Sequence, residues 1–214
     1  MKIKLLLITV SILFTEVVFA NIFTVTSNAD SGPNTLRQAI LDAATNGTSN
    51  SDTIIFQLPN IARAGRTITL LSELPALTSN LVIDGSTQLG TSIGVSDAKV
   101  IIQQSNTVTA SGFTFLQFQN VSNIEIYGLY LFNSWWSQFV TTPNVKGIYF
   151  TGAKNIKIGA AGKGNYIRGT KTAAILSQAN SVQDYSDSVY IQGNIIGNDE
   201  TGGITTAGPI SQIF

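Results

Sequence analysis

The sequence contains neither cysteine nor histidine in its 214 residues. These two absences exclude a thiolate nucleophile, an imidazole base, and the usual ligands of zinc and copper. Any catalysis would have to use carboxylates, lysine, arginine or tyrosine. Disulfides are excluded too, so stability must come from a core and from backbone hydrogen bonds. The sequence predicts no metal ligands and no cofactor.

Charge is also scarce. Charged residues make up 11% of the chain, compared with about 25% in an average soluble domain, so asparagine, serine, threonine and glycine supply the polar surface. The 12 basic and 12 acidic residues balance, so no overall field attracts nucleic acid. An apolar fraction of 43% allows one domain with a sizeable core. This composition favours strands and tight turns.

The first twenty residues have the composition of a secretory signal peptide. Lys2 and Lys4 form a positive start, Leu5 to Phe14 an apolar run, and Val18-Phe19-Ala20 a small-residue cleavage site. The alternative is a membrane anchor, but the run has about ten residues, whereas a spanning helix needs roughly 20. We therefore expect a signal peptide over residues 1–20, a secreted or cell-surface location, and no membrane span in the mature chain.

Residues 21–52 have the pattern of an N-terminal cap. Ile22 to Thr26 alternates like a strand, and a turn sequence then precedes an amphipathic helix. Thr35 and Gln38 match a capping box, and Asn46-Gly47 ends the pattern. The apolar face of the helix consists of Leu36, Ala39, Ile40 and Ala43. Such a helix is expected to cover the first exposed end of a strand ladder.

A short motif recurs along the chain: asparagine or serine, an apolar residue, any residue, isoleucine, any residue and glycine. The copies, the third of them shortened, begin at Asn80, Asn123, Asn155 and Ser188, so the intervals are 43, 32 and 33 residues. A repeated motif indicates stacked units, and the uneven intervals favour a coiled strand ladder whose loops vary in length.

From Thr53 onward, short strand candidates follow one another in groups of three, separated by glycine and asparagine. The candidates are 53–56, 67–70 and 81–83; 99–102, 113–118 and 124–126; 130–132, 148–150 and 156–158; 166–167, 174–176 and 189–191; and a last turn opens at 194–197. This arrangement predicts an all-β parallel solenoid over residues 53–214, with glycine or asparagine at bends where φ is positive. A sandwich of hairpins is the alternative, but the only Asn-Gly pair ends the helix.

A series of short segments in the N-terminal part of the chain carries a family resemblance. The segments are Phe23-Thr24-Val25-Thr26, Asp30-Ser31-Gly32-Pro33, Thr35-Leu36-Arg37-Gln38-Ala39-Ile40, Asp52-Thr53-Ile54-Ile55-Phe56, Ile68-Thr69-Leu70, Leu74-Pro75 and Ile83-Asp84-Gly85. In order and spacing they resemble the N-terminal end of bacterial secreted right-handed parallel β-helix proteins. The resemblance implies a right-handed parallel β-helix with an N-terminal capping helix and an extracellular location. Some members resemble adhesins or surface-repeat proteins and others resemble polysaccharide lyases and hydrolases, and the fold does not choose between them.

The last residues, 209–214, follow the opening of a coil and carry no recognisable C-terminal cap. We therefore expect the ladder to be incomplete at this end. A missing C-terminal region, a partner, a second copy or the chain's own tail would then cover the last coil.

The catalytic candidates are few. Asp184 and Asp187, with Asp199 and Glu200, would act in glycoside hydrolysis if two carboxyl groups came within roughly 5 to 9.5 Å of each other; solvated turns are the alternative. Calcium enters only under a lyase hypothesis, in which Arg168 would be the base. No calcium loop and no compact aspartate cluster accompany it. Asp84 either displays a carboxylate or accepts backbone N–H groups in its turn.

The candidate ligand-binding residues are aromatic and basic. Trp135 and Trp136 are adjacent, so on a strand they would point to opposite faces, and at least one is expected on a surface where an indole can contact a sugar or a protein. The basic candidates are Lys154, Lys157 and Lys163, which with Arg168 and Lys171 form a run without acidic residues. Aligned coils would make this run a patch for acidic polysaccharide, and simple solubility is the alternative.

The sequence thus favours a secreted or cell-surface β-helix scaffold or adhesin-like module that contacts polysaccharide or other cell-surface material. A carbohydrate-active enzyme, either a polysaccharide lyase or a glycoside hydrolase, is the main alternative. A structural spacer that binds nothing is the third hypothesis. An enzyme requires a groove with converging acidic or basic groups, whereas a stalk shows scattered charges and rows of asparagine or serine.

Overall fold

The computed structural model describes residues 20–108, 112–133, 144–170, 172–179 and 185–197. These residues form a parallel β-solenoid of about five turns with three sheets along its length. The predicted class, all-β and parallel with one N-terminal helix, is confirmed.

Each sheet takes one strand from successive coils, and every strand pair is parallel. Sheet A contains β1 (Ile22–Val25), β2 (Asp52–Phe56), β4 (Leu81–Asp84), β7 (Ser122–Tyr127), β10 (Lys154–Ile158) and β13 (Asp187–Ile191). Sheet B contains β3 (Thr67–Leu70), β5 (Val100–Gln104), β8 (Leu129–Asn133), β11 (Tyr166–Arg168) and β14 (Ile195–Ile196). Sheet C contains β6 (Gly112–Gln119), β9 (Asn144–Thr151) and β12 (Ala173–Ser177).

The recurring motif forms sheet A from β4 onward. Its isoleucines lie in register, with Ile83 beside Ile126 and Ile126 beside Ile158, and all three are fully buried. Side chains alternate between the two faces of a strand, so the residues between them point outward. Each buried isoleucine contributes roughly 1.5–3 kcal/mol of transfer free energy, and stacking like on like keeps the register from slipping.

The first residue of each motif copy bends the chain. Asn80, Asn123, Asn155 and Ser188 all have φ between 54° and 61°, in the left-handed region that asparagine tolerates better than most residues. Asn123 Nδ2 donates to Asn80 Oδ1 at 2.5 Å, and Asn155 Nδ2 donates to Asn123 Oδ1 at 2.6 Å. The predicted positive φ at asparagine is confirmed, and the amides form an exposed ladder across three coils.

Helix α1 (Leu36–Asn46) closes the N-terminal end of the core. Its four predicted apolar residues are buried and join the main hydrophobic cluster. Thr35 Oγ1 accepts the N–H of Gln38 at 3.2 Å, whereas the side chain of Gln38 donates to Asp42 and does not accept the N–H of Thr35. Only half of the capping box therefore forms. Within the described ranges no helix is both long enough and apolar enough to cross a membrane.

The predicted grouping of strands in threes is wrong for the first group. Residues 81–83 belong to β4, which pairs with β2 in sheet A, so the coil that starts at β2 has no third strand. The segment at the place of that strand contains Pro75, which has no N–H for a ladder. It instead buries Leu74 and Leu77, and the N–H of Leu77 donates to Gln117 O at 2.9 Å.

The longest interval of the motif has a structural cause. Residues 85–99, which connect β4 to β5, lie over the outer surface of sheet B and bury Ile93 and Ala98 against Ile101, Tyr130 and Tyr166. The rings of Tyr130 and Tyr166 stack with centroids 4.3 Å apart. A second, smaller hydrophobic core therefore lies outside the solenoid.

Candidate functional site

The outward residues of the motif assemble on one surface of sheet A. In the third position of the motif, Val82 lies beside Glu125, Glu125 beside Lys157, and Lys157 beside Tyr190. In the fifth position, Asp84 lies beside Tyr127. We call the following set the sheet A face: Asp84, Glu125, Tyr127, Lys157 and Tyr190 of the motif, together with Lys163 from the loop after β10.

Glu125 is at the centre of the sheet A face. Its Oε1 lies 2.7 Å from Lys157 Nζ, and its Oε2 accepts the hydroxyl of Tyr127 at 2.8 Å. Burial alone would raise the pKa of Glu125, but the hydrogen bonds from Lys157 and Tyr127 and the charges of Lys157 and Lys163 together lower it. The carboxyl group is therefore ionised at neutral pH and is unsuited to act as a general acid.

Tyr127 donates to this carboxylate from a buried position. Burial raises its pKa, and so do the hydrogen bond to Glu125 and the negative charges of Glu125 and Asp84. The phenol therefore remains protonated near neutral pH and serves as a hydrogen-bond donor.

A second ion pair, beside the one between Glu125 and Lys157, joins the end of β4 to the loop after β10. Lys163 Nζ lies 2.7 Å from Asp84 Oδ2 and 5.6 Å from the centre of the Tyr127 ring. Asp84 Oδ1 accepts both the N–H of Ser86 at 3.0 Å and its hydroxyl at 2.5 Å. Asp84 thus makes the turn contact expected from its sequence and in addition holds a lysine from a distant part of the chain.

A single glycine allows the connection after β4 and the loop after β10 to approach each other. Gly128 alone connects β7 to β8, with φ of 64°, and a side chain there would collide with the backbone of Ser86. The N–H of Gly128 donates to Lys163 O at 3.1 Å, and its C=O accepts the N–H of Lys99 at 3.0 Å. Because this turn is so short, residues 85–99 and 159–165 approach each other across it.

Both lysines of the sheet A face remain accessible to a ligand. The side chains of Lys157 and Lys163 are 45% and 48% exposed, and an ammonium group has three donors, of which each carboxylate contact uses one. Tyr190, the neighbour of Lys157 in register, is 60% exposed. The surface thus combines one exposed aromatic ring, that of Tyr190, with two cations and two carboxylates, and these charged groups carry no net charge.

The two predicted catalytic residues that the structure describes, Arg168 and Asp187, lie on different sheets. Asp187 lies on β13 in sheet A and accepts the hydroxyl of Ser188 at 3.2 Å, whereas Arg168 lies on β11 in sheet B, 6.0 Å from the ring centre of Phe132. Asp184 lies outside the described residues, as do Asp199 and Glu200. Among the residues that the structure describes, no three acidic side chains are grouped closely enough to hold a metal ion.

The predicted binding residues are divided in the same way. Lys154 lies on sheet A beside Asp187 in register, and Lys157 and Lys163 are paired with carboxylates. Because Arg168 belongs to another sheet, the basic run does not form a single face. Trp135 and Trp136 lie outside the described residues, as does Lys171.

Sequence reasoning missed Glu125, Tyr127 and Tyr190. All three occupy the variable positions of the recurring motif, the third and the fifth, which alternation directs outward. Superimposing the motif copies and reading these two positions would have identified the surface without a structure.

No protein-family model matches this chain, and a comparison with curated proteins finds no match.

Proposed function

We propose that this protein is a secreted or cell-surface β-helix of the adhesin-like kind, which binds polysaccharide through the sheet A face. The observation that carries this proposal is the exposed ring of Tyr190 beside the Glu125–Lys157 pair, in register on adjacent strands. The signal-like leader supports export, and the similarity to bacterial β-helix proteins supports a surface role.

The chemistry of the face suits a neutral sugar chain. A tyrosine ring offers apolar contact to the face of a sugar ring, while the half-exposed lysines donate to hydroxyl groups and the carboxylates accept from them. The two lysines balance the two carboxylates in number, so a strongly anionic ligand gains little from this surface.

The enzyme hypothesis has one observation in its favour, namely that Asp84 and Glu125 lie on adjacent strands of the same surface. Each carboxylate, however, is held by a lysine at 2.7 Å, and the lowered pKa of Glu125 is the opposite of what a general acid requires. A binding module therefore accounts for the geometry better than a hydrolase or lyase does.

The test follows retention and bond cleavage together on a panel of neutral and acidic polysaccharides, with and without calcium. Tyr190→Ala should weaken retention of a neutral polysaccharide about tenfold, because one stacking contact is lost. Tyr185→Ala is the matched control, since Tyr185 is similarly exposed at 64% but precedes β13. A Trp135→Ala, Trp136→Ala variant tests the other aromatic candidates.

Each outcome selects one hypothesis. Retention without cleavage, weakened by Tyr190→Ala but not by Tyr185→Ala, supports the proposal. Cleavage that falls in Glu125→Gln or Asp84→Asn establishes an enzyme instead. Neither retention nor cleavage would leave a structural spacer.

A further inference from the structure

Sheet B starts one coil later than sheet A, so its first strand, β3, has an open edge. Leu70 lies beside Gln104, and Leu70 O accepts the N–H of Ser105 at 2.8 Å. Alternate residues of a parallel strand bond to the same neighbour. Ile68 and Leu70 therefore bond toward β5, whereas the backbone groups of Thr67 and Thr69 point toward the edge.

The contacts along this edge agree with that alternation. Asn28 Nδ2 donates to Thr67 O at 3.3 Å and to Ala64 O at 3.4 Å, both long for such bonds, and the N–H of Leu71 donates to Asp30 Oδ1 at 3.2 Å. By the same alternation, the N–H and C=O groups of Thr69, which lie between these contacts, face the edge and not β5.

A cavity of about 640 Å³ lies at this edge, with walls formed by Asn28, Arg63, Ala64, Thr67 and Thr69. It is therefore bordered by strand edge on one side and by the turn at 64–66 on another. An extended chain, unlike a helix, matches both the straight edge and the repeat of its polar groups.

Two arginines contribute positive charge near the cavity, since Arg63 forms part of its wall and Arg66 lies close to Arg63. The buried guanidinium of Arg66 donates to the carbonyl oxygens of Ile61, Thr91 and Lys99 at 2.6–2.9 Å. Within the described ranges it has no carboxylate partner. Burial is the larger cause of the lowered pKa of Arg66, and the positive charge of nearby Arg63 lowers that pKa further. Two neighbouring guanidinium groups with one of them unneutralised favour an acidic partner.

We propose that the edge of β3 accepts an extended acidic peptide segment of a partner protein as an added strand of sheet B. The peptide would accept the N–H of Thr69 and donate to the C=O of Thr69 and of Thr67. In the free protein, the amide of Asn28 occupies the place of that second donor. A peptide carboxylate would lie toward Arg63 and Arg66.

The probe is a short blocked peptide of alternating threonine and aspartate, titrated into the purified protein by calorimetry, with the same peptide carrying lysine for aspartate as comparison. Thr69→Pro removes the N–H that faces the edge and is tolerated at that position of an edge strand, so binding should weaken about tenfold. Thr69→Val keeps the N–H and should bind within about twofold of the native protein. Asn28→Ala should bind more tightly.

Three results would overturn the proposal: no saturable binding of the acidic peptide, equal binding of the lysine peptide, or unchanged affinity after Thr69→Pro. Circular dichroism checks that all three variants fold. An acidic peptide methylated on its backbone nitrogens tests the same bonds without any change in the protein, and undiminished binding of that peptide would also contradict the proposal. Because Tyr190→Ala should leave peptide binding unchanged, this test is independent of polysaccharide retention.

Discussion

Arg37 links the capping helix to the coil that starts at β2, and its substitution should destabilise the packing of the helix on that coil. Its Nε donates to Asp30 O at 3.1 Å, one terminal nitrogen donates to Glu73 O at 2.6 Å, and the other donates to Ser72 O at 2.9 Å and to Asp30 Oδ1 at 2.7 Å. One side chain thus joins the start of α1 to the turn before it and to the segment after β3.

The expected cost of Arg37→Met follows from these contacts. Removing one member of a buried ion pair costs about 3–5 kcal/mol, because the other charge is left unpaired. The side chains of Arg37 and Asp30 retain 16% and 14% exposure, so water compensates in part, and we expect a loss of about 3 kcal/mol in the free energy of unfolding. Arg37→Lys keeps the charge but not the planar fork, and should lose roughly half as much.

The assay is urea unfolding followed by circular dichroism, with hydrogen exchange of the α1 amides as a local readout. Exchange is needed because a solenoid can fray at one end without unfolding as a whole. Lys154→Met, at an exposed position of β10, is the matched loss of a cation. If Arg37→Met stays within about 0.5 kcal/mol of that control and leaves exchange in α1 unchanged, the proposed fastening is wrong.

Four further substitutions test the geometry of sheet A and of the turn that follows β7. Ser188→Asn should raise the free energy of unfolding by about 0.5–1 kcal/mol in urea titrations, because asparagine tolerates φ of 55° better and continues the amide ladder; no gain would mean that the ladder does not stabilise the fold. Gly128→Ala should cost at least about 2 kcal/mol in the same assay, since its side chain would meet backbone at a positive φ, and a neutral effect would show that the turn can rearrange. The lowered pKa of Glu125 implies stability that is present above the unfolded value of about 4.3 and is lost as pH falls through the lower folded pKa. The raised pKa of Tyr127 implies stability that is lost as pH rises above about 10. Glu125→Gln and Tyr127→Phe should flatten the acid and alkaline limbs of a stability–pH curve respectively, and unchanged limbs would contradict both assignments.

Periodicity made the frame of the fold predictable. The side-chain bonds between Asn80, Asn123 and Asn155 span 43 and 32 residues, which are the intervals of the motif in the sequence. An inward isoleucine packs well on an equivalent isoleucine above and below it. The stacking of coils therefore appears in the sequence as a repeated isoleucine.

The features of the structure that the sequence did not predict depend on contacts that do not recur from coil to coil. Tyr130 and Tyr166 look like inward core residues, yet they point outward beneath residues 85–99, and alternation alone does not show that a loop covers them. Arg66 is similar, because its guanidinium becomes buried on three backbone carbonyls, and two of them, those of Thr91 and Lys99, belong to the distant connection at 85–99. The pairing of Lys163 with Asp84 spans 79 residues and depends on the short turn at Gly128, so the local sequence around either residue contains no sign of it.

The helix at one end gives the folding of this protein a direction. A completed coil of a solenoid is the template on which the next one is laid down. Because α1 covers the N-terminal end of the core, new coils can be added to the structure next to it only on the C-terminal side, which is also the order in which the chain is synthesised. Each new strand edge then stays unpaired until the next coil is added, whereas the connection at 85–99 is complete only when Lys163 and Tyr166 arrive two coils later.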